Sequence, residues 1–190
     1  MLKYNKEVIF MPLEQKKQYT VEDIYALPDG VRAELIDGEM YMTAPPGLTH
    51  QRLVHFFDRV IGNYIQNKSG DCEVFPAPFA VFLNNDDKLY VEPDISVICD
   101  KSKLDEKGCH GGPDWVIEVV SPSSRPMDYL KKLVKYQTAG VREYWIVDPM
   151  RNLVTVYRFN TEEYSIQYSF TDEIPVGIYD SDLKIRIKTE

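Results

Sequence analysis

Trp115-Val116-Ile117-Glu118-Val119-Val120 is an apolar run broken by one carboxylate. A run this short and this apolar reads as a central strand covered on both faces. Downstream, Tyr144-Trp145-Ile146-Val147 is a second buried strand, ended by Asp148-Pro149. Between them a helix fits 127–139 and stops at Gly140, a good residue just past a helix end. Residues 153–159 and 164–170 then form a meander, and 183–187 a last strand. Upstream, strand-like runs cover 72–75, 78–83 and 90–98, and 101–114 reads as a charged, Gly-rich loop. A long helix over 49–66, with Thr49 as its N-cap, carries Leu53, Phe56, Phe57, Val60, Ile61, Tyr64 and Ile65 on one face. Asp37-Gly38 between 32–36 and 39–43 signals a two-residue hairpin, because both turn positions need positive φ. Thr20 and Asp23 resemble a capping signal for a short helix that ends near Leu27-Pro28-Asp29-Gly30. The fold class is therefore α/β (α+β): a central mixed sheet flanked by helices, with an N-terminal β-hairpin. Residues 1–19 read as an arm and 20–190 as a single domain.

Composition agrees with a packed globular chain. Of the 190 residues, 44% are hydrophobic and 27% charged, which excludes disorder and coiled coil. The net charge of −8 makes a poor general polyanion binder, so contact with nucleic acid needs a local basic patch or a bound metal. Cys72, Cys99 and Cys109 are odd in number and widely spaced, which is no disulfide framework and suggests a reducing, cytoplasmic setting. No apolar stretch is long enough to span a membrane, and the N-terminus has no signal-peptide pattern. Cys99, Cys109 and His110 lack zinc-ligand spacing. There is no Walker loop, dinucleotide turn or GxSxG.

Two acids lie in apolar strands: Glu118, and Asp94 within Tyr90-Val91-Glu92-Pro93-Asp94-Ile95-Ser96-Val97-Ile98. A buried carboxylate costs several kcal/mol unless it is paired, protonated or bound to a cation. Two of them on potentially adjacent strands suggest a shared hard cation, Mg²⁺ or Mn²⁺. Separate ion pairs with Lys or Arg are the other explanation.

Pro93-Asp94 followed by Glu118-Val119-Val120 resembles the core of the PD-(D/E)XK nuclease superfamily. Over a longer span the chain is similar to the Uma-two family of proposed restriction endonucleases. The residues that carry this are IEVVSPSS at 117–124, Asp128, Lys132, Tyr136, GVREYWIVDP at 140–149, ELIDGE at 34–39 and His50-Gln51. The resemblance implies a restriction-endonuclease-like core and a divalent-metal-dependent DNA endonuclease using Mg (or Mn). It implies Asp94 and Glu118 as catalytic metal ligands, with the Val119 carbonyl as a further ligand. His50 and Glu34 are also retained, so that either could approach the metal or substrate. A homodimer is expected, since cutting both strands needs two sites.

One position departs from the superfamily pattern. Its lysine belongs two residues after Glu118, where this chain has Val120. The substitute is Lys132, which matches a lysine of the Uma-type pattern; the resemblance implies it as the catalytic lysine that stabilises the transition state or orients the attacking water. At about 100° per residue, Leu130, Leu133 and Val134 form the core face of that helix, and Asp128, Lys132 and Tyr136 a ridge away from it. Periodicity alone leaves Lys132 solvated, although its stem could reach a cleft beside Tyr129 and Tyr136. Ser121 and Arg125 are candidate substrate-binding residues, and Lys131, Lys135 and Arg142 add to a local basic excess. Val120 and the acidic charge also favour an alternative: a catalytically inactive nuclease-fold protein acting as a nucleic-acid-binding or interaction module. A carboxylate-pair hydrolase of a non-nucleic substrate is a third possibility.

Overall fold

The computed structural model describes residues 17–84, 86–121, 124, 127–162 and 164–187. Most of the expected arm and the candidate Arg125 lie outside the described residues.

Thr20 closes a capping box with Asp23 over the short helix α1, Val21–Tyr25. The hairpin follows as β1, Ala33–Ile36, and β2, Glu39–Met42. Asp37 and Gly38 turn it with φ of 53° and 74°, as the Asp-Gly signal requires. Helix α2, Leu48–Lys68, starts two residues earlier than Thr49 as N-cap would allow. Its N-cap is Gly47, which provides no side-chain cap.

Strands β3, Glu73–Pro76, β4, Val81–Phe82, and β5, Ile95–Ile98, come next. The expected 101–114 loop is instead partly ordered as β6, Leu104–Asp105, and β7, Gly108–His110. With β4 they make a small three-stranded sheet, β4-β7-β6. Gly108 lets this ribbon pack closely: a Cβ there would stand 2.3 Å from the Ala80 carbonyl oxygen.

Strand β8, Trp115–Val119, leads into a π-helical turn, Met127–Lys132, that continues as α3, Leu133–Thr138. Strands β9, Glu143–Asp148, β10, Leu153–Arg158, and β11, Ser165–Ser169, form the meander. Two short strands, β12, Ile174–Pro175, and β13, Lys184–Ile185, pair with each other.

The central sheet has the order β11-β10-β9-β8-β5-β3. Only the β8–β9 pair in it is parallel, because the 127–138 helix carries the chain back across the sheet between them. The period of two then divides the strand residues. Trp115, Ile117, Val119, Trp145 and Val147 face α2, meeting Leu53, Val54, Phe57 and Ile61. Val116, Val120, Tyr144 and Ile146 face the other way, towards Tyr136, Val141 and Ile36. The hairpin is fastened to this second side, with Leu35 and Tyr90 exchanging backbone hydrogen bonds of 2.7 and 2.8 Å.

Two expectations fail here. Cys72 and Cys99 form a disulfide, leaving only Cys109 free and buried. The β3–β5 register sets Glu73 against Ile98, so the two cysteines are the next pair along the ladder. The cysteines therefore no longer argue for a reducing compartment. The 127–138 helix also turns the opposite way from its expected core face. Leu130 and Val134 are 68% and 55% exposed, whereas Asp128, Lys132 and Tyr136 are buried. Among the described residues, no helix is long and apolar enough to cross a membrane.

Candidate functional site

Glu118 lies on the β8 face that looks towards the hairpin and the 127–138 helix. Its neighbours Val116 and Val120, two residues away on either side, are both apolar and buried there. Val120, two residues after Glu118, is thus part of the core. Around Glu118 the fold gathers Glu34 from β1, Asp128 and Lys132 from the π-helical turn, and Tyr136 from α3, all buried. Lys132 Nζ stands 2.9 and 2.8 Å from the two carboxylate oxygens of Glu34, 2.9 Å from Glu118 Oε1 and 3.6 Å from Asp128 Oδ1. Tyr136 donates its hydroxyl to the same Glu118 oxygen at 2.7 Å. The Glu92 backbone N–H donates to Glu34 at 3.0 Å.

Three carboxyl groups here share one ammonium. Ionised together they leave an uncompensated double negative charge in a buried volume, which is costly. Burial pushes the Glu118 carboxyl well above its ordinary range; Lys132 opposes this, while Asp128, Asp94 and Glu34 add to it. Burial likewise raises Asp128 to about 6, despite Lys132 and a hydrogen bond from Ser124. Lys132 moves the other way from what burial favours: Glu118, Glu34 and Asp128 together raise it well above the usual lysine range. Its ammonium is therefore held in the charged form.

Asp94 directly precedes β5. Continuing the β5–β8 register, which sets Ile95 against Ile117, puts Asp94 opposite Glu118. Its Oδ2 accepts the Val119 backbone N–H at 2.7 Å and lies 3.1 Å from His50 Nε2. Burial opposes a charged imidazole at His50. The Asp94 hydrogen bond and charge, with Asp128 and the Val119 carbonyl, nevertheless hold its pKa above the ordinary value. Among the described residues His50 Nδ1 is buried with no hydrogen-bond partner.

The structure thus puts Glu34, Glu118 and Lys132 in one buried cluster, and Asp94, Val119 and His50 at its edge. Ser121 is turned to Ser124: its Oγ accepts the Ser124 N–H at 3.2 Å, and its own N–H donates to Ser124 Oγ at 3.0 Å. The proposed basic patch is largely neutralised. Lys131 reaches Tyr41 and Glu39, Lys135 pairs with Asp37, and Arg142 with Asp114. The sequence reading assigned no site role to Asp128 or Tyr136. Their signal was the polar ridge they form with Lys132, misread as an outer face.

Other buried acids show what an ordinary one looks like. Glu143 accepts from Trp145 Nε1 at 2.7 Å and from the Ile178 N–H at 2.9 Å, and Asp148 caps the turn at Met150 and Arg151. Among the described residues no three His, Cys, Asp or Glu side chains already converge as a metal centre. The chemistry of the donors nevertheless fits a hard divalent cation: carboxylates at Asp94 and Glu118, a carbonyl at Val119, and excess negative charge behind them.

Comparison with known proteins bears on this geometry. A family model, Uma2, described as "Putative restriction endonuclease", matches residues 21–178. A crystal structure described as "a putative nuclease belonging to DUF820", from Anabaena variabilis ATCC 29413, superposes with a TM-score of 0.72 at 22% identity. That alignment covers 88% of this chain and 94% of the other, and it shows a shared fold. No curated protein matches the chain. With the match running from α1 to the β12–β13 connection, the chain belongs to the Uma2 family.

Proposed function

We propose that this protein is a divalent-metal-dependent DNA endonuclease of the PD-(D/E)XK type, hydrolysing phosphodiester bonds. The observation that carries the reading is the surplus of buried carboxylate around Glu118, with Asp94 set opposite it across the β5–β8 ladder. In this reading Asp94, Glu118 and the Val119 carbonyl hold Mg²⁺ or Mn²⁺. A cation bound there lowers the pKa of its water and screens the scissile phosphate.

The protein's own groups have separate tasks. Lys132 anchors Glu118 and Glu34 and balances part of their charge, acting as a positioning residue. Tyr136 fixes the Glu118 rotamer through its hydroxyl. The Val119 N–H and His50 fix Asp94. The active species in this proposal is a homodimer, which supplies one site per strand.

Val120 favours a second reading, a non-catalytic nucleic-acid-binding module on the same fold. Supercoiled plasmid incubated with Mg²⁺ or Mn²⁺ separates the two. The enzyme nicks or linearises DNA, and Asp94→Ala and Glu118→Gln abolish cleavage. Salt-sensitive DNA binding without any cleavage in either ion would establish the module instead.

A further inference from the structure

The least explained group at the site is His50. It lies in the first turn of α2, about a quarter exposed, and is absent from the superfamily motif. Its ring is held through Nε2, which faces Asp94. Nδ1 is buried and without a hydrogen-bond partner among the described residues, and a buried polar atom left so needs a reason. Its contacts are with the cation's proposed ligands. Nε2 stands 3.1 Å from Asp94 Oδ2, and the Val119 carbonyl also acts on the ring. Two neighbouring ligands of an octahedral ion with bonds of about 2.1 Å stand about 3.0 Å apart. The Nε2–Oδ2 pair already has that spacing, so an ion can replace the shared proton with little movement of either side chain.

We infer that His50 is a nitrogen ligand of the divalent ion bound at Asp94. This rests on the reading of Asp94 as a metal ligand and deepens it by naming the ion. An all-oxygen site suits Mg²⁺, whereas an imidazole shifts preference towards Mn²⁺ and Co²⁺. The chain is then a Mn²⁺-preferring protein.

Calorimetric titration of the full chain with Mg²⁺, Mn²⁺ and Co²⁺ tests this without any activity assay. The expected result is Mn²⁺ and Co²⁺ binding at least about tenfold tighter than Mg²⁺. His50→Ala and His50→Asn each lose that preference, weakening Mn²⁺ and Co²⁺ more than Mg²⁺, and alter the visible absorption spectrum of bound Co²⁺. Circular dichroism verifies that both variants are folded. Asp94→Ala loses all three ions. If the His50 variants keep the preference and the Co²⁺ spectrum, or bind every ion more tightly, His50 is only a counter-ion and the inference fails while the Asp94 site stands. If Asp94→Ala binds as the wild type does, or the wild type binds no divalent ion, both fail.

Discussion

The two helices that cover the central sheet are docked by opposite means. Helix α2 presents Leu53, Val54, Phe57 and Ile61 to a largely apolar sheet face, where Phe57 meets Trp145 edge to face at 6.2 Å. The 127–138 helix presents Asp128, Lys132 and Tyr136 inwards and leaves Leu130 and Val134 in solvent. The first helix is held by burial of area, which is non-directional and insensitive to pH. The second is held partly by a charge cluster, which requires specific partners and protonation states. The difference teaches that amphipathicity reports what a helix packs against only when its partner is apolar.

The comparison is broken most forcefully at Lys132 and Phe57. Lys132→Met leaves three buried carboxyls without their ammonium and should cost about 3–5 kcal/mol at pH 7.5. Phe57→Ala should cost a similar ~3–5 kcal/mol through its cavity. Urea unfolding at two pH values distinguishes the mechanisms. The Lys132→Met deficit shrinks at pH 5, where the carboxyls accept protons, and the Phe57→Ala deficit does not.

The wild-type protein without divalent ions should show the same linkage. Glu118 and Asp128 have folded pKa values above their unfolded ones. Their contribution is fully present below the ordinary carboxylate range. It is lost as pH rises, through about 6 for Asp128 and through the raised value of Glu118. Asp128→Asn should remove a slope on the order of 2 kcal/mol from unfolding free energies measured between pH 4 and 7.5.

Tyr136→Phe takes one donor from Glu118 and should cost about 1.5–3 kcal/mol by chemical denaturation, with the ring packing kept. The smallest effect belongs to the outward face. Leu130→Ser and Val134→Thr should each change stability by no more than about 0.5 kcal/mol. A loss comparable to Phe57→Ala at either position would show that this face is covered in solution.

Much of the fold was legible because local rules decide it. Asp37-Gly38 dictates its hairpin whatever surrounds it, and the α2 pattern has one apolar partner to match. Glu118 also declared itself, since a carboxylate amid WVI and VV needs a partner, a proton or a cation. The helix face did not. Leu130, Leu133 and Val134 look like a core stripe under an α-helical period, but the 127–132 segment winds as a π-helical turn. Its docking is decided by Glu34 and Glu118, which come from distant strands. The Cys72–Cys99 bond was hidden for the same reason, because it follows from the β3–β5 register. Lys131 and Lys135 looked free for a polyanion until the hairpin supplied Glu39 and Asp37 as their partners.

The contact between Glu34 and Lys132 spans 98 positions of chain, and this orders events during synthesis. A ribosome releases the hairpin, then Asp94, then Glu118, all before the ammonium that balances them exists. Until residue 132 emerges and folds back, these acids remain hydrated and apart. A chain that has not yet reached residue 132 lacks the ammonium that balances the cluster.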